Sequence, residues 1–168
     1  EWNNWTLFAS GRHDWVKSDS LSASHVEQEQ TDSAFSGRIG VSYRTEWGLI
    51  PYANYSTSFS PNLGFVYDYA TNSRSVAKPT TARQIEAGVK YEIPGYDAVV
   101  SAAFFNIDQT DGVIYDGTFD SADNQRQRQL DFNSRGVELE AQASLGNGFS
   151  LLASYTYMRM EIEKGLTG

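Results

Sequence analysis

From Gln84 to Ile93 the chain alternates without a break. Ile85, Ala87, Val89, Tyr91 and Ile93 share one phase; Gln84, Glu86, Gly88, Lys90 and Glu92 share the other. Successive side chains of a strand point to opposite faces, so this is a ribbon with one apolar and one charged side. The same period of two recurs along the chain. A first strand, Trp5 to Val16, sets Trp5, Leu7, Ala9 and Gly11 against Asn4, Thr6, Ser10, Arg12 and Asp14. A second, Phe35 to Tyr43, sets Phe35, Gly37, Ile39, Val41 and Tyr43 against Ser36, Arg38, Gly40, Ser42 and Arg44. A third, Leu49 to Ser60, opposes Ala53, Tyr55, Thr57 and Phe59 to Asn54, Ser56 and Ser58. The Gln84 ribbon is the fourth.

The fifth strand runs from Asp97 to about Asp108, with an extension as far as Tyr115. Val99, Ala103, Phe105 and Ile107 are expected to form its apolar face, while Val100, Phe104, Asn106 and Asp108 make a mixed one. The sixth, clearest from Arg135 to Leu145, alternates Val137, Leu139, Ala141, Ala143 and Leu145 with Gly136, Glu138, Glu140, Gln142 and Ser144. The seventh, Phe149 to about Ile162, sets Leu151, Ala153, Tyr155 and Tyr157 against Ser150, Ser154 and Thr156. Polar stretches at 17–33, 61–82 and 116–125 read as long loops; 44–48, 94–96 and 146–148 read as short turns, two of them carrying Pro94-Gly95 and Gly146-Asn147-Gly148.

Long and short connections therefore alternate strictly. In an up-and-down meander all long loops lie at one end and all short turns at the other, the asymmetry of transmembrane β-barrels. A Greek-key sandwich has no reason to produce it. The strands at the C-terminal end exceed the roughly 9–11 residues that cross a bilayer, so they are expected to project beyond it on the long-loop side. Trp47 at one short turn, with Tyr91 and Tyr96 flanking another, sits where an interfacial girdle belongs.

Composition agrees. Mean hydropathy is −0.47, and no apolar run approaches the ~18 residues of a membrane helix, which excludes helical spans and leaves barrels open. Aromatics at 14 % lean towards a barrel. A net charge of −8 argues against nucleic acid as a partner, since phosphate binding needs a basic face. With no cysteine, disulfides, thiol catalysis and Cys-ligated zinc are excluded. About seven strands is an odd number and both ends read as strand; with Glu1 in place of an initiator Met, the chain is expected to be an arc of a larger barrel cut from a longer protein.

Five short motifs, in order, carry a family resemblance. They are Ser10 to Trp15 (S-G-R-H-D-W), Pro51 to Pro61 (P-Y-A-N-Y-S-T-S-F-S-P), Lys78-Pro79 with Glu86, Gly88 and Lys90 (K-P…E-x-G-x-K), Arg135-Gly136 with Glu138 and Glu140 (R-G-x-E-x-E), and Ser154 to Tyr157 (S-Y-T-Y). Together they resemble the barrel of TonB-dependent siderophore receptors, the ferrichrome-type branch in particular. The resemblance implies an all-β outer-membrane barrel of 22 strands, with an N-terminal plug folded into its lumen. It implies binding of ferric siderophores from outside and import driven through TonB. Residues 1–168 would then be a partial barrel domain without plug, TonB-binding segment or closing C-terminal strand, about a third of the circumference. Its partners would be a ferric siderophore, the protein's own plug, the TonB complex and outer-membrane lipid. The alternatives are a passive porin-like channel and a soluble β-rich binding or adhesion module.

On this reading Arg38, Glu86, Lys90, Glu138 and Glu140 face the lumen, with Arg44 and Glu92, and pair with the plug or across strands. Gly88 and Gly136 on that face mark close approach of backbone or plug, or sheet curvature. Phe65, Tyr67 and Tyr69 alternate within a long loop near Arg74 and Lys78, as candidates for stacking on a siderophore and meeting its negative charge. The plainer and favoured reading is that these rings pack the loop against its neighbours.

No enzyme is expected, and no cofactor. The carboxylates form no pair set up for acid–base work, and His13 and His25 have no metal-ligand or triad partners near them in sequence. Asp116, Asp120, Asp123 and Asn124 do not follow calcium-loop spacing.

Overall fold

The computed structural model describes residues 4–21, 27–62, 64–68, 73–119, 125–146 and 148–164. Every alternating segment is a strand and pairs antiparallel with its neighbour. One open sheet contains seven strands, in the order β1 (Trp5–Leu21), β2 (Glu27–Tyr43), β3 (Leu49–Ser60), β6 (Thr80–Glu92), β7 (Ala98–Phe119), β8 (Gln125–Gly146) and β9 (Phe149–Lys164). A small ribbon, β4 (Phe65–Asp68) with β5 (Ser73–Val76), stands apart from it. The seven-strand meander is as the alternation predicts.

Most of one predicted long loop, and the described ends of another, are strand. Lys17 pairs with Thr31, and the ladder continues to Leu21 and Glu27, so most of 17–33 is ladder. Likewise β7 runs on to Phe119 and β8 begins at Gln125. The third loop holds the β4–β5 ribbon. These segments stand in water on both faces, so nothing forces an apolar phase on them and no alternation reveals them. The short turns hold as turns. Gly48 and Gly95 take φ of 90° and 80°, a left-handed conformation that other residues reach only at a cost. Trp47 and Tyr96 are strongly exposed at this end.

Pairing brings the apolar phases together. One row crosses all seven strands as Leu7, Val41, Ala53, Ala87, Phe104, Val137 and Tyr157. This face is not a core. Leu7 is 75 % exposed, Ile39 60 % and Ile85 58 %. An apolar face this extensive is not left bare to water.

The apolar band also lies oblique to the ladders. Two residues along from the Leu7 row, β1, β2, β3 and β6 are still apolar with Ala9, Ile39, Tyr55 and Ile85, whereas β7, β8 and β9 have turned polar with Asn106, Arg135 and Arg159. Exposed Phe35 and Trp15 carry the band further up on β2 and β1. At the other end β8 and β9 stay apolar long after β1 and β2 have ended, through Leu145 and Phe149. A slab of hydrocarbon cutting across strands tilted to its normal produces this parallelogram.

One face assignment is corrected. Val99, Ala103, Phe105 and Ile107 do not join the apolar face; they stand on the side of Glu86 and Gln84, and Val100, Ala102 and Phe104 join the apolar face in their place. The reason lies across the ladder. Phe105 is opposite Gly136 and only 6 % exposed, because its ring occupies the space a side chain at Gly136 would fill. Phe8 does the same over Gly40, and Tyr52 over Gly88. Three aromatic rings thus lie down on three cross-strand glycines along the polar face, a pairing that compensates the weak propensity of glycine in strands. A Cβ at Gly40 would meet Phe8 ring carbons at 2.3 and 2.4 Å, and one at Gly136 would meet the Tyr157 carbonyl oxygen at 2.2 Å.

Two outcomes follow for the intact protein folded into lipid vesicles and titrated with urea. Val89→Arg, at the middle of the apolar phase of β6, destabilises by about 2–4 kcal/mol, the midplane cost of a lipid-facing arginine; a change within error would place that face in water. Gly40→Val and Gly136→Val each destabilise by roughly 1–3 kcal/mol through overpacking. Adding Phe8→Ala restores much of the first loss, whereas Phe105→Ala leaves most of the second, since its obstacle is backbone; equal rescue of both would refute the interlock.

Candidate functional site

Two regions hold the residues singled out by the sequence. The first is the polar face of the sheet. Pairing sets out one row as Phe8, Gly40, Asn54, Glu86, Phe105, Gly136 and Met158. The next contains Tyr52, Gly88, Ala103 and Glu138, and the one after it Lys90, Ser101 and Glu140. Glu86, Lys90, Glu138 and Glu140 therefore share one face on β6 and β8, with β7 between them. Two strand spacings separate the two strands by about 10 Å. Arg38 is on the same face but on β2, opposite Ser10 and Ser56.

These charges do not pair among themselves. Glu86 accepts from the amides of Asn54 (3.3 Å) and Gln84 (3.0 Å). The Lys90 ammonium lies 5.6 Å from the centre of the Tyr52 ring, and the Arg38 guanidinium 5.2 Å from that of Phe8. The cross-strand pair that does form is Arg44 with Glu92, whose two guanidinium nitrogens grip both carboxylate oxygens, one at 2.8 Å, next to the short turns. Among the described residues Glu138 and Glu140 make no hydrogen bond or ion pair, and both are exposed. Charges of both signs share the face: Arg12 pairs with Asp14 on β1 (2.8 Å), Arg38 and Arg44 lie on β2 and at its end, and Lys90 stands on β6 with Glu86 and Glu92.

The second region is the β4–β5 ribbon. Phe65 pairs with Val76, and Tyr67 with Arg74, across its ladder. Tyr69 lies outside the described residues. The ribbon leans on β8, where Val66, Ala77 and Leu130 are all buried. Leu130 continues the phase of Ser134 and Phe132, so the ribbon covers the polar face. The Tyr67 ring is stacked by the Arg126 guanidinium at 4.2 Å. Tyr67 thus touches β8 through Arg126. Sequence inspection misses Arg126, Asn62, Gln30 and Gln129, which touch the ribbon or its base. They lie in polar stretches with no period, and only the fold assigns them partners.

Neither region assembles chemistry. Among the described residues no group of His, Cys, Asp and Glu is arranged to hold a metal ion.

Residues 1–168 match the family described as "TonB dependent receptor-like, beta-barrel". The chain is 30 % identical over 169 residues to the ferrioxamine receptor of Yersinia enterocolitica, covering 99 % of this chain and 22 % of that protein. It is 33 % identical over 165 residues to the ferrioxamine B receptor of Salmonella typhimurium, strain LT2, with 97 % and 22 % covered. It is 32 % identical over 164 residues to the ferrichrome outer membrane transporter/phage receptor of Escherichia coli K12, with 96 % and 21 % covered. The chain thus spans about a fifth of the length of these relatives. Two solved structures share its fold at lower identity. They are the ferripyoverdine receptor of the outer membrane of Pseudomonas aeruginosa (TM-score 0.70, 21 % identity, 96 % of this chain, 21 % of that one) and the alcaligin outer membrane receptor of Bordetella pertussis (TM-score 0.68, 20 %, 95 % and 28 %). The family consists of receptors and transporters of the outer membrane. This chain belongs to it: residues 1–168 are barrel wall of a TonB-dependent receptor.

Proposed function

We propose that the protein containing this wall binds ferric siderophores at the cell surface and imports them with energy transmitted by TonB, and that it is not an enzyme. The observation that carries this is similarity to receptors of ferrioxamine and ferrichrome, at 30–33 % identity over 96–99 % of this chain and about a fifth of theirs. The physical arrangement supports it. An oblique apolar band suits lipid, and the other face is polar, with Glu138 and Glu140 exposed and without a hydrogen bond or ion pair among the described residues.

In this reading the plug fills the lumen. Glu138 and Glu140, with Glu86 at the neighbouring strand, offer it an acidic surface, and basic plug side chains complete their hydrogen bonds. Arg38 and Lys90, stacked over Phe8 and Tyr52, are held against the wall. Phe65 and Tyr67 lie on the β4–β5 ribbon at the long-loop end, and with Tyr69 and Arg74 of the same stretch of sequence they are the ligand contacts proposed for this chain. Lipid surrounds the other face.

Deleting the gene should abolish growth on ferrioxamine or ferrichrome as sole iron source, and a plasmid copy should restore it. Undiminished growth on both would count against siderophore import by this protein. In the complemented strain Glu138→Gln with Glu140→Gln should lower the uptake rate several-fold while surface expression holds, as a charge-assisted contact to the plug is worth roughly 1.5–3 kcal/mol. Unaltered uptake would remove these carboxylates from the plug interface.

A further inference from the structure

The β3–β6 hairpin differs from its neighbours in one respect. The β1–β2 and β7–β8 ladders rise far above the apolar band as long paired strands. The β3–β6 ladder stops at Ser60 and Thr80, and pairing resumes at Phe65 and Val76 in β4–β5. Between them the arms are unequal, residues 61–64 on one side and 77–79 on the other, so the ladder bends and leans onto β8.

A broken ladder leaves backbone groups that need other partners. Here side-chain amides supply them. Gln129 on β8 accepts from the Lys78 N–H (3.0 Å), and its Nε2 donates to the Lys78 carbonyl (2.6 Å), so one amide stands in for a strand. Asn62 Nδ2 donates to the same carbonyl (2.7 Å), and Gln30 Nε2 on β2 donates to that of Ala77 (3.1 Å). The Ala77 N–H reaches the Gly64 carbonyl (3.0 Å). Pro79 has no N–H to satisfy. Every backbone polar group of Ala77 and Lys78 is therefore engaged.

The anchor continues into β7. Its ladder with β8 skips between Gln109 and Gly112, and Asp111 takes a φ of 55°. This bulge turns the Asp111 carbonyl towards the bend, where it accepts from Thr80 Oγ1 and Gln129 Nε2, each at 2.9 Å. Below, Ala77 is 1 % and Leu130 2 % exposed. Amides from β2, β8 and the loop thus converge on the backbone of two residues. The Lys78-Pro79 motif is the fulcrum of a bend, and its backbone is what the clamp holds.

We propose that Gln129, Asn62 and Gln30 are positioning residues that hold the β4–β5 ribbon bent over the polar face before ligand arrives, so that Phe65 and Tyr67 are preset for a ferric siderophore. The ligand part rests on the siderophore reading above; the clamp does not. Holding the ribbon in place beforehand spares the ligand the entropy of ordering it.

The test uses the whole receptor in the outer membrane of living cells, with a nitroxide at Ser75→Cys on the exposed side of the ribbon. Gln129→Met combined with Asn62→Leu keeps bulk and removes the clamp. The expected result is a spectrum narrowed to that of a mobile label, with the half-saturating concentration for uptake of ferrioxamine or ferrichrome raised roughly fivefold or more and the maximal rate retained. A general defect of the barrel would lower the maximal rate instead. An unchanged spectrum overturns the clamp, and a mobile label with unchanged half-saturation overturns the positioning role. If neither siderophore is taken up by the unsubstituted receptor, the siderophore reading fails and the label alone decides the clamp.

Discussion

A peptide backbone in hydrocarbon has no water to turn to, so each N–H and C=O must find a partner in the protein. The structure follows from that demand. Seven strands meet it by antiparallel pairing of each with its neighbour, and the pairing in turn fixes which side chains share the apolar face. A slip of one residue in any strand would carry Glu86, Glu138 or Arg38 to the lipid side and Ile85 or Val137 to the other. The apolar face and the backbone ladder therefore specify the same register, and neither is free to change alone.

The polar face is built under a looser rule. Water can satisfy its groups, so it carries charges such as Glu138 and Glu140 that find no partner among the described residues. Its aromatic rings lie flat on cross-strand glycines and present little relief. At the short-turn end of that side Arg44 pairs with Glu92, which ties the end of β2 to the end of β6. Exposed pairs of this kind add little stability but set geometry. At the opposite end the demand for backbone partners returns in a different form. Where the β3–β6 ladder bends, amide side chains replace the missing strand, and the ribbon they hold leans onto β8.

How much of this is readable in the residues depends on where the environment imposes a period. Lipid on one face imposes a period of two, and strands such as Ile85–Tyr91 and Val137–Leu145 are plain in the sequence. Above the membrane both faces are wet, and Lys17–Leu21 or Gln125–Gln129 pair without any pattern to announce it. Strand β7 is the instructive miss. Phe105 and Ile107 are as apolar as Phe104, and hydrophobicity alone cannot tell which of them faces lipid. Gly136 on the neighbouring strand decides it, through a contact 31 residues away in sequence. The charged candidates Glu86, Lys90, Glu138 and Glu140 were legible as one face, because alternation is local. Their lack of mutual pairing was not, since it depends on the strand that separates them. Gln129 carries no sequence signal at all; an amide becomes a clamp only when a bent ladder leaves it a backbone to hold.

The central claim is that residues 84–93 present one face to lipid and the other to a lumen. Single cysteines through that stretch of the intact receptor in its membrane, each carrying a nitroxide, can be compared for collision with oxygen, which partitions into lipid, and with a water-soluble nickel complex. The account predicts strict alternation: oxygen dominates at 85, 87, 89 and 91, and nickel at 84, 86, 88 and 90, to the extent that a plug leaves water there. Equal nickel access at both sets of positions would contradict it.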